Sequence, residues 1–337
     1  MLNIAKIDLN TIKNNALKVK KLLNGKKLCA VVKADAYGHG APVVANALYP
    51  ICDCYAVAIL EEAVCLRQSG IDKQILMLVP PFESDVRSVV RYSITASVCD
   101  LATLYALQRE CEKQNLTCKA HIKFNSGMNR LGVDLNQLKK ILQAFKDCDR
   151  VILDGVYSHL FNPQSKKDTN AQREKFLLAN NLVKGYNNNV TAHLSASGGF
   201  LRGEIFDMVR IGILLYGYLP FKTSSFSVQP AMRVYAPVVA SHLLDKGEHA
   251  LYGNFLAKSK TNIDIIRLGY ADGFRRAIQD GQFNNRCMDL TALISPKIQD
   301  GWVCVMDNAQ EIAQKQGTIC YEILTDCARR TDRIYIR

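Results

Sequence analysis

The sequence of 337 residues predicts an α/β protein, with an N-terminal (β/α)8 barrel of the TIM type followed by a mostly β C-terminal domain. Between residues 28 and 214, eight short apolar segments alternate with segments of helical periodicity. Such alternation favours a parallel sheet, and eight units indicate that the sheet closes into a barrel. The residue pattern then changes at a linker-like stretch, 222–227 (KTSSFS) and Pro230, and strand patterns predominate beyond it.

Strands and helices can be assigned from periodicity along the chain. Residues 1–8 alternate as a strand does, and residues 9–24 carry apolar side chains at helical spacing. We expect strand 1–8 to join the second domain, which gives the domains 9–221 and 222–337. Barrel strands are predicted at 28–33, 55–60, 75–79, 93–98, 118–124, 153–158, 190–196 and 208–214. Further helices are predicted at 41–49, 61–69, 84–91, 100–114, 135–147 and 168–184. The second domain is predicted to contain strands 233–244, 249–255, 263–270, 290–294, 302–306 and 332–336.

The composition leads us to expect a cytoplasmic globular protein. Apolar residues make up 48% of the chain, enough for a core, and no apolar run reaches the roughly 18 residues that span a bilayer. The N-terminal residues show no charged segment followed by an apolar one, as a secretory signal would. The twelve cysteines are scattered without a paired framework, so we expect reduced thiols.

The net charge of +12 is not concentrated in one patch. A nucleic-acid-binding surface would show a basic stripe with interleaved aromatic residues, which the sequence lacks. We therefore expect neither a nucleic acid nor a membrane as partner, and we expect the charge to attract anionic small molecules. The densest basic group lies on and just after the first predicted helix and comprises Lys18, Lys20, Lys21, Lys26 and Lys27.

The stretch from Cys29 to Gly40, CAVVKADAYGHG, combines a buried strand, a lysine, a glycine turn and a following helix. Lys33 stands where the apolar run stops, so we expect desolvation to lower the pKa of its amine. A neutral amine at this place can attack a carbonyl group to form a Schiff base. Tyr37 follows four residues later with a hydroxyl suited to a phosphate. In isolation, V-V-K would describe a lysine that bends out to solvent at a strand end.

The ends of other predicted strands carry polar residues of related chemistry. In a barrel, the carboxyl ends of the strands form the functional face. Alone, His159 would be a structural histidine and Arg130 the partner of a surface carboxylate, whereas Arg210 within an apolar strand needs buried partners. Together they indicate a site for an anionic aromatic cofactor. The strand ends concerned read NSGMNRLG at 125–132, YSH at 157–159, SASGG at 195–199 and MVRIGI at 208–213.

These motifs resemble those of the alanine racemases, and on them the chain is identified as a member of that family. The segment 31–40, VVKADAYGHG, is similar to the family's pyridoxal-phosphate lysine motif, and 126–132, SGMNRLG, to its arginine loop. The resemblance implies pyridoxal 5'-phosphate as cofactor, a homodimer with active sites shared between subunits, and interconversion of L-alanine and D-alanine for peptidoglycan. Further matches are DMVRIGILLYG at 207–217, LYG at 251–253, LGYADG at 268–273 and GTICYEIL at 317–324.

The resemblance also implies roles for individual residues around the cofactor. Lys33 would bind the cofactor covalently and act as one acid/base, and Tyr252 of the partner subunit would be the other. Arg210 would face the pyridine nitrogen, and His159 would pack near the ring and brace the arginine. The phosphate would be held by Tyr37, Ser197 and the backbone N–H groups near Gly212 and Ile213.

Other residues are implied around the substrate. Arg130 would orient the substrate carboxylate and a cofactor oxygen. Lys123 matches a lysine that is carbamylated in many members of the family, and its carbamate would hold the arginine in place. Tyr270 and Asp289 would lie behind the residues that contact the substrate.

The sequence departs from the family pattern in places. Ala196 precedes the phosphate serine where members commonly have asparagine, and Arg329 stands where a tyrosine often contacts the phosphate. Two Met-Asp pairs, Met288-Asp289 and Met306-Asp307, match the motif that contacts the substrate carboxylate. We prefer Met288, because residues 300–324 then match the segment that follows in the family. That choice implies a deletion in the segment before it.

Three alternatives stay open at this point. Serine, or both alanine and serine, would be the substrate if one hydroxyl changed the pocket preference. A related decarboxylase shares the architecture, but the motif around Tyr252 argues against it. A non-catalytic pyridoxal-phosphate carrier resembles the barrel alone, so residues 226–337 argue against that function.

Overall fold

The computed structural model describes residues 2–252, 255–276, 283–294 and 301–337. The chain divides into two compact units. The barrel unit comprises residues 13–36 and 41–228, and the β unit comprises residues 1–12, 37–40 and 229–337. Residues 253 and 254, which belong to the predicted strand 249–255, lie outside the described ranges. In the described part of the chain, no helix has the length and hydropathy needed to cross a bilayer.

Strand β1 (Asn3–Asp8) and helix α1 (Leu9–Leu22) come first. The barrel strands follow as β2 (Lys27–Val31), β3 (Cys54–Val57), β4 (Ile75–Met77), β5 (Ala96–Val98), β6 (Cys118–Lys123), β7 (Val151–Tyr157), β8 (Thr191–His193) and β9 (Met208–Ile211). The helices after them are α2 (Ala41–Leu48), α3 (Leu60–Gln68), α4 (Val86–Arg91), α5 (Leu101–Gln114), α6 (Leu135–Ala144), α7 (Lys166–Tyr186) and α8 (Ser197–Leu201).

The eight strands β2 to β9 close into a parallel barrel, as the sequence predicts. They form two four-stranded sheets, in the orders β4-β3-β2-β9 and β5-β6-β7-β8. A parallel bridge between Leu76 and Thr95 joins β4 to β5. On the other side, the Arg210 N–H donates to the Ser195 carbonyl at 2.9 Å, which joins β9 to the end of β8. The strands β2 and β3 are almost wholly buried, which explains their continuous apolar sequences.

Several barrel strands are shorter than predicted, because the chain turns as soon as it leaves the sheet. The predicted strand 208–214 ends at Ile211, and the Leu215 N–H donates to the Gly212 carbonyl at 2.8 Å in the turn that follows. The predicted strand 55–60 ends at Val57, because α3 already begins at Leu60. Ile213 and Leu214 are buried in the loop after β9, whereas Ile59 after β3 is 46% exposed. An apolar sequence alone therefore overextends both strands.

Polar capping residues set where several barrel helices begin. The Asp100 carboxylate accepts the Thr103 N–H at 2.6 Å at the start of α5. Asp134 and Gln137 form a reciprocal capping box at the start of α6, with bonds of 2.8 and 2.9 Å. These caps fix the ends of the loops that lead from strand to helix, on the face that carries the predicted site.

The β unit is a mostly antiparallel sheet with two helices. Strand β1 pairs antiparallel with β10 and parallel with β17. The sheet order is β14-β15-β13-β10-β1-β17, and β16 also pairs with β10. Its strands are β10 (Met232–Leu244), β11 (His249–Ala250), β12 (Phe255–Leu256), β13 (Thr261–Ile266), β14 (Phe283–Arg286), β15 (Thr291–Ile294), β16 (Trp302–Met306) and β17 (Thr331–Ile336).

Two helices of the β unit are absent from the sequence prediction. They are α9 (Ala309–Lys315) and α10 (Cys320–Asp326). The buried residues Ala309, Ile312 and Ala313 of α9 follow the i, i+3, i+4 spacing that indicates a helix. Both helices are only seven residues long, so two turns of periodicity are easily overlooked beside the stronger strand patterns.

Candidate functional site

The chain leaves β2 through a left-handed turn that begins at Lys33. Ala34, Asp35, Ala36 and Tyr37 all have φ between 51° and 54°. Each L-residue in this conformation costs about 1–2 kcal/mol, and runs of such residues are rare. The sequence predicts a turn at the glycines further on, but the structure places four non-glycine residues in the left-handed region before them. Backbone strain of this kind is concentrated at functional sites.

Two carboxylates hold this turn. The Ala34 N–H donates to Glu62 Oε1 at 2.6 Å, and the other oxygen of Glu62 accepts the Ala58 N–H at 2.7 Å. The Asp35 carboxylate accepts the Ala41 N–H at 2.7 Å, at the first residue of α2. These charge-assisted bonds fix the turn between the preceding strand and the following helix. Sequence reasoning assigned no role to either carboxylate.

The Lys33 side chain is half-buried at the carboxyl end of β2, as predicted. Burial lowers the pKa of its amine, and the positive charge of Arg130 lowers it further, whereas Glu62 acts in the opposite direction. The Lys33 side chain therefore reaches its neutral, nucleophilic form more readily than a solvated lysine does.

Arg210 is buried on β9, with only 2% of its surface exposed. Its Nη1 donates to His193 Nδ1 at 2.7 Å and to the His193 carbonyl at 3.0 Å. Its Nη2 donates to the carbonyls of Ser158 at 2.7 Å and Leu194 at 3.1 Å, and lies 3.4 Å from His159 Nδ1. The sequence-based expectation that a buried guanidinium must have partners is met by the ends of β7 and β8.

Tyr157 forms a platform beneath two of the cations. The Arg210 guanidinium carbon and the Lys123 ammonium each lie 5.1 Å from the centroid of its ring, a distance typical of cation–π contacts. The Tyr157 hydroxyl lies 2.6 Å from Ser97 Oγ and donates to the Leu78 carbonyl at 3.1 Å. Sequence reasoning placed Tyr157 at a strand end without a role.

Lys123 is buried at the end of β6. Burial lowers the pKa of its amine to about 8, and the charges of Arg210, Arg130 and Lys33 contribute to the shift. Its ammonium donates to the Leu78 carbonyl at 3.4 Å. Four basic side chains therefore act on one another in the site. Three lie at the carboxyl ends of strands and one lies in a loop: Lys33, Lys123, Arg210 and Arg130.

The same cations act on His159. Burial lowers the pKa of its imidazole to about 3, and Arg210, Arg130, Lys123 and Lys33 lower it in that order. The histidine is therefore neutral at physiological pH. A concentration of positive charge around a neutral imidazole fits a ligand that brings its own negative charge, as a phosphate and a carboxylate do.

Ser197 and the turn after β9 lie side by side. The Gly212 N–H donates to Ser197 Oγ at 3.3 Å, and Ile213 is buried beside it in sequence. A Cβ on Gly199 would lie 2.3 Å from Ser195 Oγ, so the turn at Ser197 is closely packed. A serine hydroxyl beside backbone N–H groups is a suitable cradle for a phosphate.

The Arg130 loop is held by its own polar groups. The side-chain oxygen of Asn125 accepts the N–H groups of Gly127 at 3.1 Å and Asn129 at 3.0 Å. The Val133 N–H then donates to the Lys123 carbonyl at 2.9 Å, which closes the loop on β6. Gly132 permits this closure, because its φ is +113° and a Cβ would lie 2.8 Å from the Asn125 nitrogen.

In the β unit, Met288 and Met306, the two methionines of the candidate Met-Asp pairs, differ in exposure. Tyr252 is 79% exposed and Met288 is 54% exposed, whereas Met306 is buried on β16. The Met288 carbonyl accepts the Ala271 N–H at 3.0 Å, and the Tyr270 N–H donates to the carbonyl of the residue before Met288. Met288 and the 270–272 turn are therefore neighbours, and only Met288 of the two methionines is available to a ligand.

The remaining predicted residues of the β unit have local partners. The Tyr37 ring is buried, and its centroid lies 5.8 Å from that of Tyr321. Asp289 accepts a hydrogen bond from Arg330 at 2.8 Å. Arg329 is exposed and forms an ion pair with Asp326 at 2.8 Å.

Comparison with known families matches both parts of the chain. The family model described as "Alanine racemase, N-terminal domain" matches residues 7–220, and "Alanine racemase, C-terminal domain" matches residues 231–335. Relatives named alanine racemase include those of Aquifex aeolicus, 30% identical over 99% of both chains, and Thermodesulfovibrio yellowstonii, 32% identical over 98% of this chain and 97% of the relative.

Solved structures give the same result. The alanine racemase of Clostridium difficile 630 is 28% identical, with a TM-score of 0.92 over 100% of this chain and 96% of that one. A Bartonella henselae alanine racemase with covalently bound pyridoxal phosphate is 28% identical, with a TM-score of 0.88 over 100% of both chains.

The backbone of the Arg130 loop leads to a stability prediction. Replacing Gly132 with alanine imposes the positive φ on an L-residue and also drives its Cβ into the Asn125 backbone. Replacing Gly70, whose φ is +89° with open space around its Cβ position, imposes the conformational strain alone. We expect Gly70→Ala to lower the free energy of unfolding by about 1 kcal/mol and Gly132→Ala by at least about 2 kcal/mol more. Denaturant unfolding measures both, and equal losses would contradict the packing argument.

Proposed function

The chain belongs to the alanine racemase family, and on that premise we propose which of its residues carry out the reaction. It is a pyridoxal-phosphate-dependent alanine racemase, an isomerase that interconverts L-alanine and D-alanine. The serine-racemase and carrier alternatives are not favoured, because the relatives are alanine racemases and a C-terminal domain model matches as well. A role in supplying D-alanine for peptidoglycan fits this family.

The observation that carries the residue assignment is the convergence of Lys33, Lys123, Arg130 and Arg210 around a neutral His159. In this proposal Lys33 holds the cofactor, because its amine is half-buried and its pKa is lowered. Arg210 would face the ring nitrogen. The phosphate would be held by Ser197, Tyr37 and the backbone N–H groups of Gly212 and Ile213.

Pyridoxal phosphate, when bound, supplies a conjugated ring that accepts the electron pair left when the Cα proton of an amino acid is removed. The side chains must then move protons. Racemisation takes the proton from one face of Cα and returns one to the other face, so it needs two groups on opposite sides. Lys33 Nζ is the first in this proposal, and the hydroxyl of the partner subunit's Tyr252 is the second.

Arg210 supports racemisation over competing reactions in this proposal. Its guanidinium only donates hydrogen bonds, and it does not surrender a proton at ordinary pH. Arg210 would therefore offer no proton to the ring nitrogen of a bound cofactor. This would favour proton exchange at Cα over transamination.

The substrate carboxylate is assigned to Arg130, whose side chain lies in an exposed loop. Lys123 is assigned the support of that arginine as a carbamate. Its pKa of about 8 leaves a larger share of the amine neutral than an ordinary lysine has. The neutral nitrogen can add to the carbon of carbon dioxide and lose a proton. The resulting anion would balance part of the positive charge in the site.

The residues of the β unit are assigned to a site shared between two subunits. Tyr252 is almost fully exposed within one chain, as a residue that completes a partner's site would be. Met288 is assigned to the substrate contact, with Tyr270 and Asp289 behind it, because it is exposed and Met306 is not. We propose a homodimer, and a cytoplasmic location, with which twelve free thiols agree.

The first prediction from the proposed function concerns Lys33. Borohydride reduction of the purified yellow protein should abolish its visible absorption irreversibly, because the cofactor becomes fixed by a reduced bond to its lysine. Peptide mapping should find that label on Lys33, because this lysine stands at the carboxyl end of β2 in the segment 31–40 that is similar to the family's pyridoxal-phosphate lysine motif. Lys123, which is also buried with a lowered pKa, provides the internal control. A label on Lys123 would contradict the assignment of Lys33 as the cofactor lysine.

The second prediction concerns the shared site. Lys33→Ala and Tyr252→Phe homodimers should each be nearly inactive, because each lacks one proton carrier at both sites. When the two are unfolded and refolded together, roughly half of the dimers become mixed, and one site in each mixed dimer has both groups. Activity should then return to roughly a quarter of the wild-type value. No recovery, with subunit exchange confirmed by affinity tags, would show that both groups come from one chain.

A further inference from the structure

A row of hydrogen bonds runs through the barrel from Arg210 to a carboxylate. Arg210 Nη1 lies 2.7 Å from His193 Nδ1, and His193 Nε2 lies 2.8 Å from His121 Nδ1. His121 Nε2 then lies 3.1 Å from Asp154 Oδ2. Both imidazoles are buried, with 0% and 1% of their surfaces exposed. Neither histidine has a place in the proposed proton transfers.

The chemistry of the two ends fixes the protons in this row. A guanidinium can only donate, so His193 Nδ1 must accept and its proton must lie on Nε2. That N–H donates to His121 Nδ1, so the proton of His121 lies on its own Nε2 and points at Asp154. A carboxylate can only accept, which agrees with this direction. Every bond in the row therefore donates from Arg210 towards Asp154.

The fold makes room for this row. The pairing of β6 with β7 shifts register between Ala120 and His121, and Gly155 lies opposite His121. A Cβ on Gly155 would lie 2.4 Å from His121 Nδ1, so no other residue fits there without moving the ring. The His193 ring is in turn stacked on Tyr157 at 4.8 Å with an interplanar angle of 3°.

Asp154 is held at the far end by two further groups. Gln74 donates to its Oδ2 at 2.7 Å, and the Lys119 ammonium lies 2.9 Å from its Oδ1. Although burial opposes ionisation, the bonds from His121 and Lys119 hold the pKa of this carboxyl below its ordinary range. Burial lowers the pKa values of both His121 and His193, so the row links a charged carboxylate to a charged guanidinium through two neutral rings.

Within the part of the chain that the structure describes, the Arg210 guanidinium makes five bonds, to three carbonyls and two imidazoles, and none to a carboxylate. Within the row, Asp154 carries the negative charge. Each neutral imidazole presents its lone pair towards Arg210 and its N–H towards Asp154, so the two ring dipoles point the same way. The negative potential of the carboxylate is thereby passed on to the buried cation.

We propose that His121 and Asp154 are positioning residues for the racemase reaction, acting on Arg210 through His193. Asp154 orients His121, His121 orients the lone pair of His193, and that lone pair holds the guanidinium in the place where it faces the cofactor ring. This inference rests on the role of Arg210 in the proposed function.

Three variants of the holoenzyme test the proposal. His121→Phe keeps a ring of similar size but removes the two hydrogen bonds that His121 makes in the row, and leaves the bond between Arg210 and His193. His121→Gln restores them in part, because its amide oxygen can accept from His193 and its N–H can donate to Asp154. Gln108→Leu is the matched control, since Gln108 is also buried in the barrel unit and donates to the Asp149 carboxylate at 2.7 Å, outside the row.

We expect His121→Phe to lower kcat for L-alanine by about tenfold or more, the size of effect seen for groups that orient a functional side chain. KM should change little, because the effect lies in the reacting complex and not in substrate binding. His121→Gln should recover most of kcat, and Gln108→Leu should lose thermal stability without losing kcat. The proposal is overturned if His121→Phe retains full kcat, or if His121→Gln is no better than His121→Phe.

A spectroscopic measurement tests the row without relying on activity. Nitrogen-15 NMR of histidine-labelled wild-type holoenzyme distinguishes protonated from unprotonated ring nitrogens. We expect both His121 and His193 to carry one proton, on Nε2, with Nδ1 unprotonated at neutral pH. A proton on Nδ1 of either ring would overturn the proposal, even if the racemase activity itself is confirmed. If the enzyme has the predicted protonation pattern but no racemase activity, the proposed function is contradicted, whereas the assigned hydrogen bonds of the row are not.

Discussion

A buried guanidinium at the carboxyl end of β9 is the constraint on which the rest of the barrel site depends. Burying such a charge is costly unless every donor finds an acceptor, so the chain must bring several carbonyls to one point. Ser158, His193 and Leu194 supply them from the ends of two neighbouring strands. Because Lys123 and other cations lie nearby, Arg210 also needs a distant negative potential or an anionic ligand. The architecture of the strand ends follows from satisfying this one side chain.

The left-handed turn after β2 positions Lys33 by a different means. Four residues from Ala34 to Tyr37 adopt a backbone conformation that L-residues avoid. Hydrogen bonds from backbone N–H groups to the Glu62 and Asp35 carboxylates offset part of its cost. The turn fixes the direction in which the chain leaves the strand. Lys33 therefore stays at the strand end, because no right-handed α-helix begins there. Hydrogen bonds fix the orientation of Arg210, and a strained backbone turn fixes that of Lys33.

Much of the fold and part of the site could be predicted from sequence. Alternating strand and helix patterns indicate the barrel, and a cation within an apolar strand, such as Arg210, cannot be explained by solvation. By contrast, Tyr157 and His193 belong to runs in which an aromatic ring or a histidine is ordinary core, and only the closed barrel shows that they contact the cations. Period and composition report the face on which a residue lies. They do not report which strand ends meet, and they do not distinguish the exposed Met288 from the buried Met306.

In the proposed mechanism, the charged guanidinium of Arg210, which can only donate hydrogen bonds, directs the enzyme to proton exchange. Replacing Arg210 with lysine retains a positive charge but removes the planar fork and permits loss of a proton. The most direct measurement is the ratio of pyruvate formed by transamination to D-alanine formed by racemisation, with L-alanine as substrate and cofactor content matched to wild type. The account predicts a lower racemisation rate and a clearly higher ratio for Arg210→Lys. An unchanged rate together with an unchanged ratio would contradict it.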